Sequence, residues 1–172
     1  KSKPIELING IKNIITMNNY QNTYYSQDWV FKKVKNYFKI SELVSPTVLS
    51  KYGEEQCWSF LDFRLLSNLL FIRLGRGNQI TINYGNKFQR GLRENTSKIV
   101  SKRTKAGRLY LSGHVLGQAV DFHETQSGNT AESIREWCLE HADGMPYKCR
   151  FEHKKKDTDE NSITYGRMIP IT

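Results

Sequence analysis

The sequence predicts an α+β fold in which a largely antiparallel sheet packs against helices. Three observations lead there: apolar residues recur at helical spacing in two stretches, other short stretches alternate with period two, and no regular strand–helix–strand rhythm of the kind a parallel sheet needs runs through the chain. With 172 residues, 38% of them hydrophobic, the chain is long enough to bury one continuous core.

Residues 1–36 mix Asn, Tyr and Lys with apolar patches such as "IELINGIKNIITM". No clear period runs through them, so they read as an amino-terminal arm or linker with one short helix, and residues 37–172 as the domain proper. From "YFKISELVSP" the pattern sharpens. Trp58, Leu61, Leu65, Leu69 and Ile72 follow one another at intervals of three and four, which is one apolar helix face, ending near the glycines of "LGRGNQ". "QITINY" alternates as a half-buried strand does, and "AVDFH" reads as another strand. In "TAESIREWCLEHA" Thr130 is a cap, and Ile134, Trp137, Cys138 and His141 fall on one side of the helix it opens. "YKCRFEH" and "SITYGRMIPI" read as two strands joined by the polar turn "KKKDTDEN".

The net charge is +9, from 26 basic and 17 acidic residues, which favours an anionic partner: nucleic acid, teichoic acid or a polymer carrying carboxylates. Between Lys87 and Arg108 the basic residues are opposed only by Glu94, a run that a solvated loop also accounts for. Cys57, Cys138 and Cys149 are far apart and form no Cys-x-x-Cys pair, so free thiols are expected. No apolar run approaches the ~20 residues of a membrane crossing, and the amino end carries no apolar signal segment. The first residue is Lys1, which reads as a processed, tagged or excised piece.

The stretch that carries chemistry is "SGHVLGQAVDFH", residues 112–123. Residues seven apart on a strand point to opposite faces, so His114 and Asp121 converge only if the chain bends between them. Gly117 allows that bend, and Ala119 keeps bulk out of the space between the two side chains. An imidazole nitrogen and a carboxylate oxygen are suitable zinc ligands, to which a catalytic site adds a third protein ligand and an open position. The spacing leaves two readings open: metal ligation, or a satisfied core histidine beside a structural aspartate.

"SGHVLGQAVDF" resembles the Ser-x-His-x-x-Gly-x-Ala-x-Asp signature of the zinc D-alanyl-D-alanine carboxypeptidases and related peptidoglycan endopeptidases, with Ser112, His114, Gly117, Ala119 and Asp121 at its fixed positions. "ELV", "FLDFRLLSNLLFIR", "QITIN", "FQRGLR" and "LYLSGHVLGQAVDF" are similar to successive blocks of the phage-borne branch of that family, over about residues 37 to 172. The resemblance implies a hedgehog-like DD-peptidase fold, a zinc cofactor held by His114 and Asp121, and hydrolysis of cell-wall stem peptides or cross-links by a metal-activated water. Arg93 would orient a substrate carboxylate or stabilise the developing oxyanion. Glu152 would accept the proton of the attacking water, and Ser112 would be a nearby hydrogen-bonding residue. Peptidoglycan would be the partner, with other phage virion proteins beside it, and the virion or the host cell envelope the location.

The family's third zinc ligand is a histidine in a terminal Trp-x-His strand. The matching strand is "RMIPIT", which ends at Thr172, so the resemblance implies a chain truncated short of that ligand. Among the histidines present, His123 is the first substitute because it shares a strand face with Asp121; His153 and His141 rank below it. Two other classes of function stay in view: a catalytically inactive peptidase-like structural or binding domain of a phage particle, and a basic nucleic-acid-binding domain, although no recognisable nucleic-acid module is present.

Overall fold

A computed structural model describes residues 27–108, 111–126, 128–152, 154–156, 161–163 and 167–170. Residues 1–26 of the expected arm, His153 and part of the "KKKDTDEN" turn lie outside the described residues.

The architecture is α+β. Among the described residues the helices are α1 (Gln27–Val34), α2 (Pro46–Ser59), α3 (Phe63–Arg76), α4 (Lys98–Lys105) and α5 (Ala131–Glu140), with 3-10 turns at Ile40–Glu42 and Ala142–Gly144. The strands are β1 (Ile80–Thr81), β2 (His123–Glu124), β3 (Lys154–Lys156) and β4 (Met168–Pro170). β1 pairs antiparallel with β2, Ile80 opposite Glu124, and β3 pairs antiparallel with β4, Lys155 opposite Ile169. Both pairings are antiparallel as expected, but β3 falls on Lys154–Lys156, read from the sequence as part of the turn, while residues 147–152 of "YKCRFEH" form no strand. Each strand is only two or three residues long, and helices make most of the regular structure.

α1 falls within the stretch read as an arm, yet its Val30 and Val34 are buried and it packs against α3. Phe38, Leu43 and Val44 continue the same core. The expected apolar face from Trp58 to Ile72 is present, but on two helices. Phe60 caps the end of α2, and Asp62 opens α3 by accepting a hydrogen bond from the Arg64 backbone N–H at 2.9 Å. An aspartate at an N-cap satisfies a donor that a continuous helix would satisfy internally, so the helical period runs on across a real break. α3 ends where the sequence places its end, at Gly77 with φ 72°, the left-handed conformation that closes many helices.

In "QITINY" Ile80 and Ile82 point into the core while Thr81 is half-exposed, so the alternation holds as far as Ile82 and ends at buried Asn83. Asn83 explains the early end of pairing. It is buried, its N–H bonds Glu42 O at 2.9 Å, and its Oδ1 accepts the N–H groups of Arg90 and Gly91 at 3.2 and 3.3 Å. A side chain thus takes the place of a strand partner. "AVDFH" is a strand only at its end, His123–Glu124. α5 begins as expected at Thr130, whose hydroxyl accepts from Ser133 N–H at 3.1 Å.

The junction of α3, β2 and α5 is held by charge. Arg76 makes a two-pronged ion pair with Glu124, Nε to Oε1 at 2.5 Å and Nη2 to Oε2 at 2.9 Å. Asn78 donates to the same carboxylate at 2.8 Å, and Arg76 Nη1 donates to Ser133 O at 3.1 Å. The Glu124 side chain is fully buried. Hydrogen bonding to Glu124 raises the Arg76 pKa above its ordinary value. Of the three free cysteines, Cys57 and Cys138 are buried and Cys149 is exposed; burial pushes the Cys138 thiol up to about 11.

Candidate metal site

The signature stretch folds as a turn rather than a strand. Ser112 O accepts from the N–H groups of Val115 and Leu116 at 3.0 and 3.1 Å, and Gln118 N–H bonds Gly113 O at 2.7 Å. Ser112 Oγ accepts from Val115 N–H at 3.4 Å, so this hydroxyl shapes the turn. Gly117 stands at φ 67°, and a Cβ there would lie 2.0 Å from Phe60 O. Its own carbonyl accepts from Asp62 N–H at 2.9 Å. The turn is therefore seated directly on the break between α2 and α3, and only glycine fits both the torsion and the approach. Ala119 lies against Gly113, where an added Cβ would come within 2.9 Å of the alanine methyl.

This fold brings His114 and Asp121 together. His114 Nε2 lies 3.6 Å from Asp121 Oδ2, with the imidazole largely covered and the carboxylate 54% exposed. His114 Nδ1 lies 3.0 Å from Gly91 O. A carbonyl can only accept, so Nδ1 carries the proton and Nε2 of the neutral ring presents a lone pair. Two acceptors then face each other at a distance too long for a hydrogen bond. The arrangement calls for a cation: a second proton on the imidazole or a metal ion. Two ligand atoms on a tetrahedral zinc stand about 3.3 Å apart, so the pair needs almost no adjustment to share one. The Nδ1–H to carbonyl contact is the outer bond that fixes the ring of metal-bound histidines. These two donors fit zinc by type and separation.

Gly91 is held as tightly as the motif glycine. A Cβ on it would lie 2.1 Å from Leu43 O, and Leu92 N–H bonds that same carbonyl at 2.8 Å. Arg93 N–H donates to His114 O at 3.0 Å and Asp121 N–H to Arg90 O at 2.7 Å. "RGLR" and "SGHVLGQAVD" therefore run side by side, joined through their backbones. Arg93 lines a cavity of about 660 Å³ together with Val48, Tyr52, Phe60, Val115 and Leu116. Its Nη2 donates to Gln89 O at 2.9 Å, while its Nε is buried with no hydrogen-bond partner among the described residues.

The other expected residues lie elsewhere. No group of three His, Cys, Asp or Glu able to hold a metal occurs among the described residues, so His123, His141 and Glu152 do not complete a ligand set with His114 and Asp121. His123 Nδ1 is 3.0 Å from Arg90 Nη1 and its ring meets Tyr84 edge-on at 5.2 Å; it sits on β2, whose strand starts two residues after Asp121. His141 stacks on Trp137 at 4.2 Å. Glu152 is exposed and outside any strand, its carbonyl accepting from Arg135 Nη1 at 3.4 Å.

Asp62 was missed by the sequence reading, although it joins helix and motif: its carboxylate accepts from Arg64 and, at 3.2 Å, from Gln118 Nε2. The signal was an Asp directly before a helical run, hidden because the apolar period crosses it. Comparison of the chain with models of known protein families, with curated proteins and with solved structures found no match. No helix among the described residues is long and apolar enough to cross a membrane.

Proposed function

We propose that the protein is a zinc-dependent peptidase of the bacterial cell wall, of phage or prophage origin, with peptidoglycan stem peptides or cross-links as its substrate. The observation that carries this reading is the His114–Asp121 pair, two acceptor atoms 3.6 Å apart with the imidazole proton tied to Gly91 O. Zinc bound there would polarise an amide carbonyl and lower the pKa of a water at the site.

The chain's own residues supply the rest of the proposed chemistry. His114 and Asp121 would hold the metal from one turn, whose shape is set by Gly117 packed on Phe60 and by the backbone bonds of His114 and Asp121 to Arg93 and Arg90. Arg93, bonded through its backbone to His114 and lining the neighbouring cavity, would direct the outer part of its guanidinium at a substrate carboxylate or an oxyanion. By the family resemblance Glu152 would take the proton of the attacking water, although the fold does not group it with His114 and Asp121 in a ligand set. Its exposure leaves its carboxylate in contact with solvent.

The test is a calorimetric zinc titration of the parent beside His114→Ala and Asp121→Ala, with release of soluble peptides from purified peptidoglycan measured in parallel. One-to-one binding by the parent, lost in both variants and accompanied by release, is the expected result. Absence of zinc binding by the parent, or equal binding by the variants, overturns the reading. Glu152→Gln is expected to stop release while leaving zinc bound.

A further inference from the structure

Beside the proposed metal pair, the hairpin that follows β1 and the start of β2 gather three polar side chains, Lys87, Arg90 and His123, around the exposed ring of Tyr84. Tyr84 and Lys87 bridge each other through their backbones, Tyr84 N–H to Lys87 O at 3.2 Å and Lys87 N–H to Tyr84 O at 2.9 Å. Lys87 Nζ donates to Tyr84 Oη at 2.8 Å and stands 4.9 Å from the centre of its ring. The Arg90 guanidinium lies 5.4 Å from the same ring and bonds His123 Nδ1 at 3.0 Å.

Two cations thus converge on one tyrosine and one histidine, and neither makes an ion pair among the described residues. Like charges drawn together without a carboxylate between them repel, and an anion placed there relieves that repulsion. The cluster also keeps free donors. Arg90 uses one of five N–H groups on His123, and Lys87 uses one of three on Tyr84. The frame is rigid, because buried Asn83 clamps the hairpin through the N–H groups of Arg90 and Gly91, so a ligand meets groups already in place.

We infer that Lys87, Arg90, Tyr84 and His123 form a carboxylate-binding subsite, which takes a free side carboxylate of the peptide whose amide lies at His114 and Asp121. The identity of the ligand as a peptide rests on the proposed peptidase function; the anion preference rests on the cluster alone. The Asp121 N–H to Arg90 O bond at 2.7 Å ties the two places through the backbone, so one extended peptide can reach both.

The experiment uses the full chain, freed of metal by chelation, and a synthetic stem-type peptide with several carboxylates, each converted in turn to the carboxamide. Binding is measured by calorimetry for the parent, for the double variant Lys87→Gln/Arg90→Gln, for His114→Ala and for the control Lys105→Gln. One particular carboxamide is expected to weaken binding to the parent about tenfold, the usual size of a charge-assisted contact. That discrimination should vanish in the double variant and persist in His114→Ala and in the control. No discrimination by the parent, or discrimination that survives in the double variant, overturns the subsite. Zinc binding without carboxylate discrimination sinks the subsite alone, whereas discrimination without zinc binding sinks the peptidase reading alone.

Discussion

Glu124 and Asp121 are three residues apart, yet they live in opposite surroundings. Glu124 is buried, held by both prongs of Arg76 and by Asn78, and its partner in turn binds Ser133. Asp121 is 54% exposed, and the nearest charged or chargeable partner given by the structure is the His114 imidazole nitrogen Nε2 at 3.6 Å. A polar group that is buried and fully partnered serves the fold, because its hydrogen bonds balance the cost of desolvation. One held in place by its backbone, with its donor or acceptor capacity unspent, is available to a ligand. The turn at residues 112–121 has this second character throughout: its main chain is bonded and its glycines are packed, while its two chemical side chains are left open.

That contrast breaks first at Glu124. Glu124→Ala leaves the Arg76 guanidinium buried beside Trp137 without its counter-charge, and a loss of about 3–5 kcal/mol of folding stability is expected, read from urea unfolding. A paired Arg76→Met/Glu124→Leu variant should regain most of it, because an apolar pair of similar volume has no desolvation cost. If Glu124→Ala unfolds at the parent's urea midpoint, the junction is not the structural anchor described above.

Gly117→Ala comes next. It strains a positive φ and drives a methyl into Phe60 O, which should cost about 2–4 kcal/mol and weaken zinc binding at the same time. Unchanged stability together with unchanged zinc affinity would show that the turn does not set the pair's geometry.

How much of this was legible in the sequence follows from the range of the forces involved. Local signals were read well. Thr130 at the cap of α5, Gly77 at the end of α3 and the inward Ile80 and Ile82 each depend on a few neighbouring residues. The helix break at Phe60–Asp62 was hidden because apolar spacing continues across it, and periodicity does not report which backbone N–H groups are satisfied. A short helix was expected in residues 1–36, but the packing of α1 into the core escaped for a similar reason. Val30 and Val34 are too few to make a period, and their burial depends on α3, far along the chain. In the site, Gly117 and its neighbours were read as a bend, and the structure has the bend. The backbone pairing of "RGLR" with the turn, the clamp by Asn83 and the cluster around Tyr84 are contacts between segments, and no local pattern encodes them.

His114→Ala sharpens the comparison from the other side. The imidazole contributes one hydrogen bond, to Gly91 O, so the expected stability change is about 1 kcal/mol, far below that for Glu124→Ala. The two variants should therefore cross: the Glu124 change costs stability, and the His114 change costs zinc affinity. A His114 variant as unstable as the Glu124 one would mean that the imidazole is a core group.

The smallest expected effect concerns Asp62, which belongs to both regions because it caps α3 and accepts from Gln118 of the turn. The Arg64 side chain beside it holds its carboxyl below the ordinary value, against the opposing effect of burial. A depressed folded-state pKa means that the folded chain resists protonation more than the unfolded one. The associated stability is therefore complete above the unfolded value near 3.9 and is lost as the pH falls through the lower folded value. Asp62→Asn keeps a capping oxygen and removes the charge. Because the Arg64 side chain is 55% exposed, the gap between parent and variant should stay below about 1 kcal/mol at neutral pH. It should hold constant down to about pH 4 and close below it, as followed by urea unfolding at stepped pH. A gap that instead widens in acid would mean that the carboxyl is stabilised in its neutral form, and the ion pair with Arg64 would then not be what holds it.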